Sequence, residues 1–259
     1  MKKILVLNCG SSSIKYALYN MDDQSVITSG GIEKIGLPDS FITVKLNGEK
    51  HKMEKPVREH TEGVQWIFEV LTTGDYAVLN SLEELDAVGH RMVHGGEKFN
   101  KSVLITPEVK EMIVKCIELA PLHNPAHVIG INACTEVFGD KLPQVAVFDN
   151  AFHSTMPETS YMFGLPYEFY EKYHVRRYGA HGTSHRFVAY RTAEIIGKDL
   201  KDFKLITCHL GNGCSITAIK DGKVLDTSMG LTPLDGFVMG TRCGAVDPSA
   251  ITYIMDKEG

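Results

Sequence analysis

Apolar and polar residues in the first part of the chain follow the patterns of β-strands. Residues 3–7 form a short apolar run typical of a buried strand, and residues 14–19 alternate as a half-buried strand does. Two further strands are predicted over residues 25–29 and 41–46. Four such strands in succession predict an antiparallel meander.

Apolar residues at helical spacing follow this meander. One apolar stripe runs over residues 64–71, a second helix begins with Thr106 as N-cap and Pro107 at its first position, and a third begins at Asn124–Pro125. Strands are predicted among these helices, over residues 85–88 and 145–148. Strands and helices that alternate after a meander predict a mixed α/β domain over residues 1–150.

The second part of the chain repeats the opening pattern. Residues 204–208 are typical of another buried strand, a turn follows at His209–Gly213, and further strands are predicted over residues 215–219 and 224–227. The offset from the first meander is about two hundred residues, which indicates a second domain on the same plan over residues 151–259. The alternative is that two unrelated β-meanders look alike.

Two turns rich in small residues, Asn8–Ser13 and His209–Gly213, connect strands in the two predicted meanders. Small side chains let a phosphate group approach backbone N–H donors, and the Ser hydroxyls and Lys15 add donors and charge. Neither turn is a P-loop. Each turn alone is more typical of an ordinary hairpin. Two of them at equivalent positions of a repeat favour phosphate binding in a cleft between domains.

Two arginines lie in glycine-rich segments that are predicted to be loops. Arg91 follows a predicted strand within Gly89–Gly96, and Arg242 is flanked by Gly240 and Gly244. An arginine whose neighbours lack bulk can reach a ligand, and its planar guanidinium suits carboxylate or phosphate oxygens. The alternative, a solvated surface arginine, is less typical of loops with this much glycine.

A histidine and an aspartate complete the candidate groups. His181 precedes a helix predicted from residue 183 or 184 to residue 196, where it can help to bind an anion. Metal binding by His181 and His185 is an alternative, but no carboxylate partner or known metal motif accompanies them. Asp149 ends a buried strand, which suits either a Mg²⁺-directed carboxylate or a helix cap.

The composition excludes several classes of protein. The chain has 259 residues, of which 43% are hydrophobic and 23% charged, and a formal net charge of −5. Without an excess of basic residues, nucleic-acid binding is not expected, and no apolar run reaches the roughly 18 residues of a membrane span. The six cysteines are scattered without a CxxC pair, which predicts reduced thiols and a cytoplasmic location.

Several of these segments together resemble the acetate kinase family. Asn8–Lys15 is similar to the first signature of that family, and Cys208–Ile216 is similar to the second. Four more segments match in the family's order and approximate spacing, namely Gly89–Gly96, Pro121–Pro125, Phe148–His153 and Gly240–Arg242. The resemblance extends from residue 1 to residue 259.

The resemblance implies a fold, a reaction and an assembly. The fold is the duplicated, actin-like fold of acetate and sugar kinases (ASKHA), in which two α/β domains close on a nucleotide. The reaction is a reversible, Mg²⁺-dependent transfer of a phosphoryl group directly from ATP to acetate, which gives acetyl phosphate and ADP. The implied full-length protein is a homodimer.

Matching positions also imply roles for residues of the predicted first domain. Asn8 would serve the Mg²⁺ site, and Lys15 would bind the phosphates of ATP. Ser11 and Ser13 would belong to the first phosphate loop. Arg91 would bind the acetate carboxylate.

The remaining implied roles concern the transfer step. His181 and Arg242 would stabilise the transferring phosphoryl group. A carboxylic acid with a pKa of about 4.3 is ionised at pH 7, so no general base is needed. Asp149 is therefore expected to orient Arg91 or a Mg²⁺-bound water rather than to move a proton. The other assignments are ATP binding by His209, Leu210, Gly211, Asn212 and Gly213, and an acyl pocket of Val93, Leu122 and Pro233.

One departure from the family concerns the size of the acid. The position before His181 is usually Phe in this family, and here it is Ala180. A larger pocket would accept longer acids, although one methylene is worth only about 1–3 kcal/mol of discrimination. A kinase that prefers propionate or butyrate is therefore an alternative.

A second departure concerns length. Family members continue well past residue 259, and the additional part holds the rest of the second domain, including the adenosine loops and a Mg²⁺-directed Glu. A helix predicted from Asp247–Pro248 is still in progress at Gly259. We therefore expect a C-terminally truncated chain with an incomplete second domain and little activity of its own. A non-catalytic fragment that binds a nucleotide or phosphate is the remaining alternative.

Overall fold

The chain forms two compact units in a computed structural model, which describes residues 1–121, 123–139 and 141–259. The first unit comprises residues 1–95 and 101–148, and the second comprises residues 96–100 and 149–259. Leu122, an expected acyl-pocket residue, lies outside the described residues. None of the helices found in the described ranges has the length and apolar character that crossing a bilayer requires.

A mixed sheet forms the centre of the first unit. Its strands are β1 (Lys3–Cys9), β2 (Ser13–Asn20), β3 (Ser25–Glu33), β4 (Phe41–Leu46), β5 (Glu49–Glu54), β6 (Ala87–Met92), β7 (Val103–Leu104) and β8 (Gln144–Phe148). Their order in the sheet is β5-β4-β3-β2-β1-β6-β8-β7. β6 pairs in parallel with β1 and β8, and the other neighbouring strands are antiparallel.

Helices cover the sheet of the first unit and bury its core. They are α1 (His60–Thr72), α2 (Pro107–Lys115) and α3 (Asn124–Phe138), with short 3-10 helices at Leu82–Glu84 and Cys116–Leu119. α1 packs on β2 and α3 packs on β1. Alternate residues of β1 and β2, such as Leu5, Leu7 and Ile14, are fully buried in one cluster with Ile67 and Leu71 of α1. The predicted alternation thus supplies the apolar face that the helices cover.

The second unit contains a smaller antiparallel sheet in the order β11-β10-β9. The strands are β9 (Leu205–Leu210), β10 (Cys214–Lys220) and β11 (Lys223–Thr227). Its helices are α4 (Glu158–Tyr161), α5 (Tyr167–Tyr173), α6 (Gly182–Ile196) and α7 (Pro248–Glu258), with 3-10 helices at Ala151–Thr155 and Leu200–Asp202. α6 packs on β9, and a small core includes Ala189, Ala193 and Ile219.

Three predictions about local structure are wrong. Asn8 and Cys9 belong to β1 and Ser13 belongs to β2, so the first turn is confined to residues 10–12. Arg91 lies within β6 rather than in a loop, because this strand continues to Met92 in parallel pairing with β8. His209 and Leu210 belong to β9, so the second turn is confined to residues 211–213. The domain boundary at residue 150 stays a prediction. The compact units change between Phe148 and Asp149, and residues 96–100 join the second unit.

Candidate functional site

The first small-residue turn joins β1 to β2 in the first unit. The N–H of Gly10 donates to Ser13 O at 2.7 Å, and Nε2–H of His60, the first residue of α1, donates to Gly10 O at 2.6 Å. Ser11 and Ser12 are exposed, and their backbone N–H groups donate to no residue that the structure describes. The turn therefore offers amides and hydroxyls to an anion.

Arg91 and Asn8 lie on adjacent strands and are hydrogen-bonded. Nη1 of Arg91 donates to Asn8 Oδ1 at 3.1 Å. Asn8 is also directly opposite Lys15 of β2, and directly opposite residues of paired strands share a face of the sheet. Arg91, Asn8 and the exposed Lys15 thus lie on three neighbouring strands, β6, β1 and β2. Asn8 lies on the middle strand.

Two buried histidines near Arg91 are neutral at pH 7. Nε2–H of His90 donates to Gln144 Oε1 at 2.8 Å, while the amide nitrogen of Gln144 donates to Thr135. Burial lowers the pKa of His90 to about 4, and burial together with the nearby charge of Arg91 lowers the pKa of His127 to about 3. Neither histidine therefore adds positive charge beside Arg91 at pH 7.

A tight glycine-containing loop positions His181 in the second unit. His181 immediately precedes α6 with φ of 59°, a left-handed conformation that is uncommon for a residue with a side chain. The N–H of Gly182 donates to Asp149 O at 2.8 Å, and Thr183 Oγ1–H donates to Oδ1 of the same residue, also at 2.8 Å. The buried Asp149 thus fixes the start of α6, and with it His181.

The second small-residue turn lies beside His181. The N–H of Gly211 donates to Gly213 O at 3.1 Å, and the N–H groups of Asn212 and Gly213 donate to no described partner. The rings of His181 and His209 stack with their centroids 4.0 Å apart. The side chain of Leu210 is 75% exposed. This turn, like the first, leaves backbone N–H groups for an anion.

Arg242 reaches the same place from a later loop. Its Nη1 donates to Pro233 O at 3.1 Å, and its backbone exchanges hydrogen bonds with Met239. A Cβ built on Gly213 would lie 2.9 Å from His181 Nε2 and 3.3 Å from Arg242 Nη1. The imidazole and the guanidinium therefore both approach the α-carbon of Gly213.

A buried line of hydrogen bonds lies behind His181. Ser215 Oγ is 2.8 Å from Nδ1 of His181 and 2.8 Å from Nε2 of His185, whose Nδ1 is 2.7 Å from Thr207 Oγ1. Burial lowers the pKa of His185 to about 4. Sequence reasoning missed Ser215 and Thr207. Their polar side chains at inward-facing positions of apolar strands were the only available signal.

The described side chains of the candidate site include no metal-binding cluster of their own. In the ranges that the structure describes, no group of three His, Cys, Asp or Glu side chains could hold a metal ion. The idea of a metal between His181 and His185 is not supported, because Ser215 bonds to both rings. Asn8 and Asp149 each offer oxygen atoms, the kind that Mg²⁺ prefers, and such an ion usually takes most of its other ligands from phosphates and water. Each residue, taken by itself, therefore has the type of donor atom that suits an ion bound mainly by phosphates and water.

The predicted site residues divide between the two units. The first unit contains Asn8, Ser11, Ser13, Lys15, Arg91 and the half-buried Val93, whereas the second contains Asp149, His181, His209–Gly213, Pro233 and Arg242. Within the second unit, His181, His209, the turn and Arg242 lie together. The role of each residue, and the convergence of Arg91 with His181 and Arg242, stay predictions.

Known proteins match the chain over nearly its whole length. The model of the acetokinase family matches residues 3–259. The acetate kinase of Bacteroides fragilis is 60% identical over 258 residues, which are 99% of this chain and 65% of that protein. The acetate kinase of Clostridioides difficile is 53% identical over 259 residues, again 99% of this chain and 65% of that protein. The chain thus spans about 65% of the length of these curated relatives.

Solved structures of related kinases have the same fold. The crystal structure of Porphyromonas gingivalis acetate kinase superposes with a TM-score of 0.94 at 53% identity, covering 100% of this chain and 65% of that one. A propionate kinase from Francisella tularensis superposes with a TM-score of 0.91 at 47% identity, with the same two coverages. The predicted α/β fold of the acetate and sugar kinase type is thereby confirmed, and the chain belongs to the acetokinase family.

Proposed function

We propose that the whole protein that carries this chain is an acetate kinase, which transfers the γ-phosphoryl group of ATP directly and reversibly to acetate. The observation that carries the proposal is the approach of His181 Nε2 and Arg242 Nη1 to Gly213 in the second small-residue turn. N–H donors beside a turn with open amides suit the crowded oxygens of a phosphoryl group. The names of the relatives from B. fragilis and P. gingivalis agree with this assignment.

Arg91 binds the acid in this proposal. The carboxylate is ionised at pH 7 and pairs with the planar N–H fork of the guanidinium. Asn8 accepts from Nη1 and so restricts the rotation of that fork. Val93, Leu122 and Pro233 would surround the methyl group of the acid.

The transfer exchanges one bond to phosphorus and moves no proton. A carboxylate oxygen forms a bond to the γ-phosphorus, the bond to the bridging β-phosphate oxygen breaks, and its electron pair remains on ADP. Arg242 and His181 stabilise the charge on the equatorial oxygens. Lys15 and the two small-residue turns hold the phosphates of ATP.

We propose Mg²⁺ as the metal that accompanies ATP. The ion supplies charge neutralisation at the phosphate oxygens. Asn8 is the residue that would hold it, and Asp149 would orient Arg91 or a water bound to the ion. Their side chains are already oriented by hydrogen bonds, Asn8 by Arg91 and Asp149 by Thr183.

Trapping the acyl phosphate with hydroxylamine tests the proposed reaction. The whole protein should form acetyl hydroxamate from ATP, Mg²⁺ and acetate, and a chelator should abolish its formation. No hydroxamate from acetate, propionate or butyrate would refute the assignment as a carboxylate kinase. Hydroxamate formation without added nucleotide would refute ATP as the donor.

A propionate kinase is a second candidate, which one residue favours. Ala180 is 7% exposed and immediately precedes His181, and a small side chain there leaves room for a longer acid. The F. tularensis relative is named a propionate kinase. Ala180→Phe should raise the preference for acetate over propionate in kcat/KM by about tenfold, since one methylene is worth roughly 1–3 kcal/mol. Ala180→Ser, which hardly changes the volume, is the control, and an unchanged ratio in the Phe variant would remove Ala180 from the acyl pocket.

We also propose a cytoplasmic homodimer. The six cysteines are all free thiols, as expected in a reducing compartment. Phe187, Tyr190 and Ile195 of α6 are more than half exposed, at 70%, 56% and 70%, and such apolar surface favours association. Light scattering of the whole protein measures the mass of the assembly, and a monomer would contradict the dimer.

A further inference from the structure

The buried line of hydrogen bonds behind His181 consists of four side chains. It connects Thr207 of β9, His185 of α6 and Ser215 of β10, and it ends at Nδ1 of His181. The exposed fractions of the three inner residues are 2%, 1% and 0%. We propose that this line holds His181 as the neutral tautomer with its ring proton on Nε2, an inference that rests on the proposed function only for its catalytic consequence.

The number of protons in the line limits the possible arrangements. The Ser215 hydroxyl has one proton and a ring nitrogen 2.8 Å away on either side. His185 is neutral at pH 7 because burial lowers its pKa to about 4, so its ring has one N–H and one lone pair. The line therefore runs either from Thr207 towards His181 or in the opposite direction.

Thr207 determines which direction is adopted. Within the described part of the chain, its hydroxyl has His185 Nδ1 as its only hydrogen-bond partner. If His185 donated to Thr207, the buried hydroxyl proton would have no acceptor, which is unfavourable. Thr207 O–H therefore donates to Nδ1 of His185, and Nε2–H of His185 donates to Ser215. The remaining proton, on Ser215 Oγ, is donated to Nδ1 of His181.

The direction of the line determines what His181 can donate. Because Nδ1 accepts from Ser215, the proton of the neutral ring is on Nε2, the atom that approaches Gly213 and Arg242. Nε2–H can donate to a phosphoryl oxygen without a charge on the ring. Conversion to the imidazolium would require the whole line to reverse. Thr207, His185 and Ser215 are thus positioning residues for the transfer step.

Other titratable and charged groups surround the line. His209 stacks on His181, and His153 packs edge-to-face on His185 with the centroids 5.7 Å apart. Asp149 interacts electrostatically with His185, and Arg242 approaches the same α-carbon as His181. None of these four side chains contributes a hydrogen bond to the Ser215 or Thr207 hydroxyl in the described structure.

Nitrogen-15 NMR of the histidine rings tests the tautomer directly. In the unmodified protein at pH 7.5, His181 should show a protonated Nε2 and an unprotonated Nδ1. Thr207→Val removes the first donor without touching His181 and should produce a mixture of tautomers at His181. Thr217→Val is the matched control, because it removes a buried hydroxyl of β10 that bonds to His153. Protonated Nδ1 in the unmodified protein, or unchanged His181 signals in Thr207→Val, would overturn the proposal.

Kinetics of the whole protein separate positioning from folding. Ser215→Ala should lower kcat about tenfold and leave KM for ATP and acetate within about twofold, and Ser215→Thr, which keeps the hydroxyl, should restore most of kcat. If Ser215→Ala does not fold, Thr207→Val provides the same comparison. A protein with the Nε2–H tautomer but no kinase activity would refute the proposed function alone. An active kinase with Nδ1 protonated would refute this inference alone.

Discussion

At the scale of single residues, the position of His181 depends on Gly182, the next residue, because it has no Cβ. A Cβ on Gly182 would lie 2.0 Å from the carbonyl oxygen of Asp149, so Gly182→Ala must displace the start of α6. We expect this variant to lose about 1–3 kcal/mol of unfolding free energy and most of kcat. Gly164→Ala is the control, since a Cβ there meets nothing within 4 Å. Urea unfolding and the hydroxamate assay measure both effects, and a fully active Gly182→Ala variant would contradict the geometry.

Buried histidines make the stability of the chain depend on pH. The pKa values of His90, His127 and His153 are about 4, 3 and 3, against 6.5 for a free histidine, because burial penalises the charged ring. At a pH between the folded pKa of a ring and 6.5, the unfolded chain binds more protons than the folded chain. The unfolding free energy is therefore greatest above pH 6.5 and falls as the pH drops towards 4, by about 1.4 kcal/mol per pH unit for each fully buried ring.

Urea unfolding at a series of pH values checks this dependence. In His90→Gln, the unfolding free energy should fall less between pH 6.5 and pH 4, and the difference should equal the contribution of one ring. The reason is that the substituted amide can still donate to Gln144 but does not titrate. Equal slopes in His90→Gln and the unmodified chain would show that His90 is not a source of the effect.

At the scale of elements, a side-chain cap stabilises the beginning of α2. The N–H of Val109 donates to Thr106 Oγ1 at 3.3 Å, which confirms the N-cap predicted from the sequence. Thr106→Ala should therefore lower the unfolding free energy by about 1 kcal/mol, whereas Thr106→Ser should retain most of it. The difference between the two variants in urea unfolding isolates the cap. Equal stability of both variants would mean that the hydroxyl contributes nothing.

The elements that could be predicted are those with one buried face. β1 to β4, α1 and α6 have apolar residues at the strand or helix period, since each buries one side against a neighbour. β5 was missed because its sequence, EKHKME, is polar on both faces of an outer strand. α5 was missed for a similar reason, as none of its residues is buried. Where burial is absent, local sequence contains little periodic signal.

At the scale of the whole molecule, the candidate site could be predicted from the sequence only where its residues form a short, recognisable segment. The small-residue turns and the glycine-flanked Arg242 are recognisable within a few positions. The line from Thr207 to His181 joins side chains on α6, β9 and β10, which meet only through folding. The carboxylate of Asp149 likewise bonds to Thr183, 34 residues away. Contacts of this kind have no periodicity to detect.

The two arginines allow a test of whether both units act on one reaction. Arg91→Ala should mainly raise KM for the acid, and Arg242→Ala should lower kcat by about 10²–10³-fold, the usual cost of one donor to a transition state. If both guanidinium groups act on the same transferring group, the double variant should lose less activity than the product of the two single losses, because residues that act as a unit are not additive. Arg242→Lys serves as the matched control that keeps the charge without the planar fork. Strictly multiplicative losses in kcat/KM for the acid, measured with the whole protein, would place the two arginines on independent steps and refute their convergence.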